Sequence, residues 1–149
     1  MYGEERGINM CTSIRPEISA KNKYWISRHR YYELKHFCLQ YPIWKKAYAT
    51  LDELCISAAN LEIVTAYSGF PGDPTAKCSI AKVYYSDRIN MIEKAAVAAD
   101  KELCAYILKA VTEDLSYTYL KTRLNIPCSK DTYYDRYRKF FWLLSKERE

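Results

Sequence analysis

Few residues in this chain have types and spacings that could do chemistry. His29 and His36 stand seven apart, which places both on one face of a helix. As an acid/base pair they lack a nucleophile at any spacing that would partner them, so a surface position is expected. Cysteines occur at 11, 38, 55, 78, 104 and 128, with no CxxC pair, and His29, His36 and Cys38 match no metal-ligand spacing. Four of the six fall on the apolar side of expected helices, where a thiol packs as a small hydrophobe. There is no P-loop, GxGxxG, GxSxG or HExxH pattern. Tyr134 as a recombinase-type nucleophile would need a clustered Arg/His/Lys site from a larger domain. The expectation is therefore a protein that is not an enzyme and holds no cofactor and no metal.

The densest polar chemistry lies from Leu115 onward, in LSYTYLKTRLNIPCSKDTYYDRYRKFFWLLSK. Ser116 suits the N-cap of a short helix with Leu120 and Leu124 inward. Asn125-Ile126-Pro127-Cys128 forms a connection. Asn tolerates the left-handed backbone that such a turn needs, and Ile126 can plug the angle between two helices. Ser129 caps a longer helix, 130–145, whose inward stripe is Tyr133, Tyr137, Phe140, Phe141 and Leu144. Its outward positions are Lys130, Asp131, Tyr134, Asp135 and Arg138.

A short helix, a turn and a longer helix with a polar first half are what a helix-turn-helix requires. In that arrangement Ser129, Lys130, Asp131, Tyr134, Asp135 and Arg138 face the edges of bases, and Tyr117, Lys121, Arg123, Arg136 and Lys139 face phosphates. The plainer alternative makes Arg136, Arg138 and Lys139 a solvated face and Tyr134 a boundary residue.

The rest of the chain must position this segment. Hydrophobic residues make up 49% of the 149 and charged residues 28%, enough for a real core. Only four glycines occur, which favours long helices over a turn-rich β fold. The fold expected is all-α, a small domain of about six helices ending in the helix-turn-helix. Ser27 caps a helix over roughly 28–40 with Tyr31, Leu34, Cys38 and Tyr41 inward. Pro42 opens a second, about 42–60, striped by Trp44, Tyr48, Leu51, Cys55 and Ala58. After the loop Tyr67–Pro74, Asp73 caps a third, about 74–97, with a heptad-like seam of Cys78, Ala81, Tyr85, Ile89, Ile92 and Ala96. Asp100 caps a fourth to about 113, with Leu103, Ile107 and Ala110 inward. Fifteen tyrosines supply most of the aromatic content and suit core edges. The divisions expected are an arm over 1–26, a helical dimerisation or interaction region over 27–99, and a DNA-binding region over 100–149. Residues 1–48 carry nine Lys/Arg against four Asp/Glu, 49–115 six against ten, and 116–149 eight against four. Basic ends flanking an acidic middle place phosphate contacts at the ends.

From Ser116 to Phe140 the chain resembles the sigma-factor region-four type of helix-turn-helix, whose ending reads Ser-x-x-Thr-aliphatic-x-x-Arg. Here it reads Ser129-Lys130-Asp131-Thr132-Tyr133-Tyr134-Asp135-Arg136. The wider layout over 41–145 resembles phage late-gene transcriptional activators of the RinA/ArpU type. It shares a Tyr41-Pro42 helix opening, a polar loop, a long helix and the C-terminal helix-turn-helix. It departs at Lys121, near a position the family fills with alanine, at Tyr133, which replaces a β-branched residue, and at Pro127-Cys128, which lengthen the turn by two.

The resemblance implies a phage or prophage regulator that binds duplex DNA and forms a homodimer through its amino-terminal helices or the 74–97 seam. Two other readings stay open. One is a phage-encoded interaction protein that inhibits a host nucleic-acid enzyme such as RNA polymerase or a CRISPR nuclease; the other is a terminase-like packaging subunit. No apolar run reaches the length of a membrane span, and a soluble, cytoplasmic protein with no membrane partner is expected.

Overall fold

Serine hydroxyls, one early proline and two left-handed residues cut this chain into helices. The computed structural model describes residues 21–62 and 74–149. All regular structure among them is helical: α1 Arg28–Leu39, α2 Tyr41–Glu62, α3 Pro74–Ala99, α4 Cys104–Glu113, α5 Tyr117–Leu124 and α6 Lys130–Glu147. The fold is all-α, as expected from the spacing of apolar residues. Most of the expected arm, the loop 67–73 and the Asp73 cap lie outside the described residues. None of the described helices is long and apolar enough to cross a membrane.

Helix boundaries follow from local chemistry. Ser27 caps α1, its Oγ accepting from the Arg30 N–H at 3.3 Å. Tyr41 opens α2 instead of extending the α1 stripe, with Pro42 in the first turn, where its missing N–H leaves no helical bond unmade. The fourth helix starts later than expected, at Cys104. Asp100 does cap, but its Oδ1 accepts from Glu102 N at 2.8 Å and Leu103 N at 3.0 Å, which closes a separate turn before α4 begins. α4 ends at Asp114, in the left-handed conformation (φ 54, ψ 51), with Leu115 N donating to the Ala110 carbonyl.

The chain divides into two compact units, residues 21–39 with Ile92–Glu149, and Gln40–Met91. This differs from the expected 27–99 and 100–149 division, because α1 packs with the C-terminal helices. In the first unit α1, α4 and α6 are mutual neighbours. Leu34, Cys38, Ile92, Ile107, Leu120, Ile126, Phe140 and Leu144 are sealed from solvent, and Tyr133 and Phe141 nearly so. The inward positions expected on the last two helices are buried, except Leu124, which is half-buried.

Rings run through this core. Tyr31 meets Phe141 edge-on at 5.1 Å, Phe141 meets Tyr137 at 4.9 Å, and Tyr137 lies 5.9 Å from Tyr133. The Tyr31 and Tyr137 hydroxyls share a hydrogen bond of 3.0 Å, so two polar tips enter the core as a satisfied pair. Burial pushes the Tyr133 and Tyr137 hydroxyls and the Cys38 thiol up from their ordinary values.

In the second unit Trp44 and Ile89 are buried. Tyr48, Leu51, Cys78, Ala81 and Tyr85, expected on the inner stripes, are half-buried, and the seam's Ile92 and Ala96 belong to the first unit's core. Lys82 pairs with Asp52 between α2 and α3. Ile43, Leu54 and Ile56 on α2 and Ile80, Val83 and Tyr84 on α3 are exposed.

Candidate nucleic-acid interface

α5 and α6 are joined by five residues that leave little freedom. Ser116 Oγ accepts from Tyr119 N at 3.2 Å, and Ser129 Oγ accepts from Thr132 N at 3.3 Å, so a serine N-caps each helix. Asn125 ends α5 in the left-handed region (φ 51, ψ 47), and the Ile126 N–H donates back to the Leu120 carbonyl. Ile126 is fully buried, as its place in the connection predicted. The Tyr117 hydroxyl donates to the Cys128 carbonyl at 2.7 Å. The Tyr117 ring lies 5.6 Å from Tyr133 and 6.3 Å from Tyr134, so aromatic packing and a backbone hydrogen bond fasten α5 to the first turn of α6.

The residues expected at base edges fall into three groups. Ser129, Lys130 and Asp131 are exposed at the start of α6. Asp135 and Arg138 are half-buried. Tyr134 does not face outward: it is 9% exposed, its ring 5.1 Å from Tyr133 and edge-on to Tyr137 at 6.3 Å. The reason is angular. Tyr134 lies between the inward Tyr133 and Tyr137 positions, and the Tyr117 ring from α5 widens the buried stripe to include it. It serves as a wall of the core, with Lys130 Nζ at 6.0 Å from its ring.

Of the residues expected at phosphates, Lys121 and Arg123 are exposed and Lys139 is half-buried. Lys121 is in water and Leu120 takes the packing position. Tyr117 is half-buried, and its hydroxyl proton is already given to Cys128. Arg136 is bound within the protein. Its Nε lies 3.1 Å from Asp100 Oδ2, and its Nη1 lies 3.4 Å from Asp135 Oδ2. The Nε is buried and sits close to the Asp100 carboxylate without the alignment of a hydrogen bond. Asp100, read from sequence only as a cap, is thus also the partner of Arg136. Thirty-six residues separate them, so no local spacing signals the pair.

The distribution of paired and unpaired cations separates the two ends of α6. Around its C-terminal end, Arg30 donates to Ser145 Oγ at 3.0 Å, to the Ser145 carbonyl at 2.9 Å and to Glu33 at 2.9 Å. Arg148 pairs with Glu33 at 3.3 Å and stacks 3.9 Å from the Phe37 ring. Lys35 pairs with Asp114 at 3.2 Å. On α5 and the outer side of α6, by contrast, Lys121, Arg123, Arg138 and Lys139 have no ion-pair partner among the described residues. The Arg138 Nε is buried and makes no hydrogen bond.

The other chemistry-bearing residues stay apart. His29 and His36 are both exposed on α1, and no three His, Cys, Asp or Glu side chains gather into a metal-sized cluster among the described residues. Cys38 is sealed in the core, and Cys78, Cys104 and Cys128 are half-buried free thiols. Desolvation pushes the Cys128 thiol up, opposed by the nearby Lys121 charge. Comparison with protein-family models, with curated proteins and with solved structures gives no match to this chain.

Proposed function

We propose that this protein is a DNA-binding regulator of a mobile element, with α5 and the N-terminal half of α6 acting as a helix-turn-helix on duplex DNA. The observation that carries the reading is the set of unpaired cations on these two helices, Lys121, Arg123, Arg138 and Lys139, beside an exposed and serine-capped first turn of α6. Cations without carboxylate partners are free to displace counterions from DNA, the main source of affinity for any duplex. The side chains that read bases are then drawn from Ser129, Lys130, Asp131, Asp135 and Arg138, with Tyr134 bracing them from behind. Phosphates are met by Lys121, Arg123 and Lys139, and Arg136 leaves the phosphate set because two carboxylates hold it.

Selection of bound duplexes from a random pool at near-physiological salt tests this reading. A regulator recovers one motif, bound ~10³-fold or more above random DNA. No enrichment over the starting pool contradicts it.

A second reading draws on the exposed aliphatic side chains of α2 and α3. In a phage-encoded protein that inhibits a host nucleic-acid enzyme, Ile80, Val83 and Tyr84 would meet a protein partner. That protein would bind its target without added duplex and show no preferred sequence.

A further inference from the structure

Arg136 has the position of a phosphate contact and the bonding of a structural residue. One guanidinium lies between two carboxylates, Asp100 Oδ2 at 3.1 Å and Asp135 Oδ2 at 3.4 Å, so the cluster carries one positive and two negative charges. The Asp100 carboxyl side chain is only 20% exposed, and that of Arg136 is 35% exposed, so water screens the pair incompletely. A phosphate approaching Arg136 meets net negative charge before it can displace either carboxylate. The Asp100 carboxylate is also anchored from behind, its other oxygen accepting from the Glu102 and Leu103 N–H groups.

We infer that Asp100 sets the sequence-independent affinity of the DNA surface. It withholds Arg136 from the phosphate backbone and so lowers affinity for every duplex, leaving the bases to supply a larger share of the binding energy. The inference rests on the DNA-binding reading and adds to it a residue outside α5 and α6.

One substitution separates the two roles of Asp100. In Asp100→Asn the retained Oδ1 still accepts the two backbone N–H bonds, while the charge that holds Arg136 is gone. Binding of a random-sequence duplex is measured for the full chain across 50–200 mM salt, for wild type, D100N, R136Q and the double variant. Folding of each is checked by circular dichroism and thermal melting.

D100N is expected to bind random duplex severalfold more tightly at 50 mM salt. Its log–log salt slope steepens by about 0.9, the signature of one added phosphate contact, so its advantage shrinks roughly threefold by 200 mM. R136Q alone keeps the wild-type salt slope, because Arg136 is already withheld, while its affinity falls modestly as two carboxylates lose their cation; in the double variant the steeper D100N slope disappears. Asp135→Asn, which touches no cap, gives a smaller gain of the same kind.

If wild type binds duplex and D100N shows no steeper slope, the inference fails while the DNA-binding reading stands. A D100N gain that survives in the R136Q background is a general charge effect and also overturns it. If R136Q makes the wild-type salt slope shallower by about 0.9, Arg136 is a working contact and Asp100 an aid to it, which contradicts the inference. If neither wild type nor D100N binds any duplex, both the reading and the inference fall.

Discussion

The two ends of α6 are built from similar residues and used differently. At the C-terminal end, Arg30 and Arg148 each have a carboxylate within 3.3 Å, and Arg30 also ties α1 to the Ser145 carbonyl and hydroxyl. Toward the N-terminal end, Lys121, Arg123, Arg138 and Lys139 have no such partner among the described residues. Arg136, paired with Asp100 and Asp135, is the exception toward the N-terminal end; the other four cations there take no part in holding the fold by ion pairs among the described residues. Total charge cannot distinguish these cases; the location of the carboxylates does.

The largest expected effect breaks both ends together. Ile126→Ala empties a fully buried position in the α5–α6 connection and should cost about 2–5 kcal/mol, read as a lower denaturation midpoint. DNA binding should fall with it, since the position of α6 relative to α5 depends on that side chain. If Ile126→Ala melts like wild type, the connection is not anchored by this residue.

Alkaline pH sharpens the comparison, because the buried titrating groups belong to the packed core and not to the exposed cations of α5 and α6. The Tyr133 and Tyr137 hydroxyls and the Cys38 thiol are raised in the folded chain, chiefly by burial. The folded state therefore keeps protons that the unfolded chain loses at the ordinary values, 9.0 for the thiol and 10.0 for the hydroxyls. Their stabilisation is fully present below about pH 9 and is lost as pH rises beyond. The loss approaches about 1.4 kcal/mol per pH unit for each group the unfolded chain has deprotonated. Urea midpoints between pH 8 and 11 check this; a midpoint that stays flat to pH 11 removes these groups from the stability account.

A smaller stability effect is expected from Arg30→Ala. The lost bonds to Ser145 and Glu33 are only partly buried, so the change should cost about 1–2 kcal/mol, with DNA affinity unchanged once the protein is folded. Lys121→Ala with Arg123→Ala should leave stability within about 0.5 kcal/mol of wild type, because both side chains are exposed and unpaired. Equal stability losses at the two ends would remove the distinction between them.

Much of this fold is legible in the residues. Ser27, Ser116 and Ser129 mark helix starts, and Leu34, Cys38, Ile107, Leu120, Phe140 and Leu144 recur at helical spacing. Asn125 is readable as a left-handed end because its short amide side chain tolerates positive φ. Asp114 adopts the same conformation but is not legible as a helix end, since aspartate is favoured at helix starts and left-handed ends are usually Gly or Asn. The boundary residue Tyr134 is misjudged by periodicity alone, because the ring that covers it comes from Tyr117 on another helix. The pairing of Arg136 with Asp100 and the grouping of α1 with the C-terminal helices depend on tertiary contacts that no local spacing encodes.

The central claim is that unpaired cations on α5 and α6 bind duplex DNA. It is tested most directly by measuring duplex affinity against salt for wild type and for the K121A/R123A variant, at matched stability. If both side chains contact phosphate, the variant binds more weakly to all sequences and its log–log slope is shallower by about 1.8, two contacts' worth. An unchanged slope and affinity, with wild type binding duplex by other residues or not at all, would contradict the assignment of this surface.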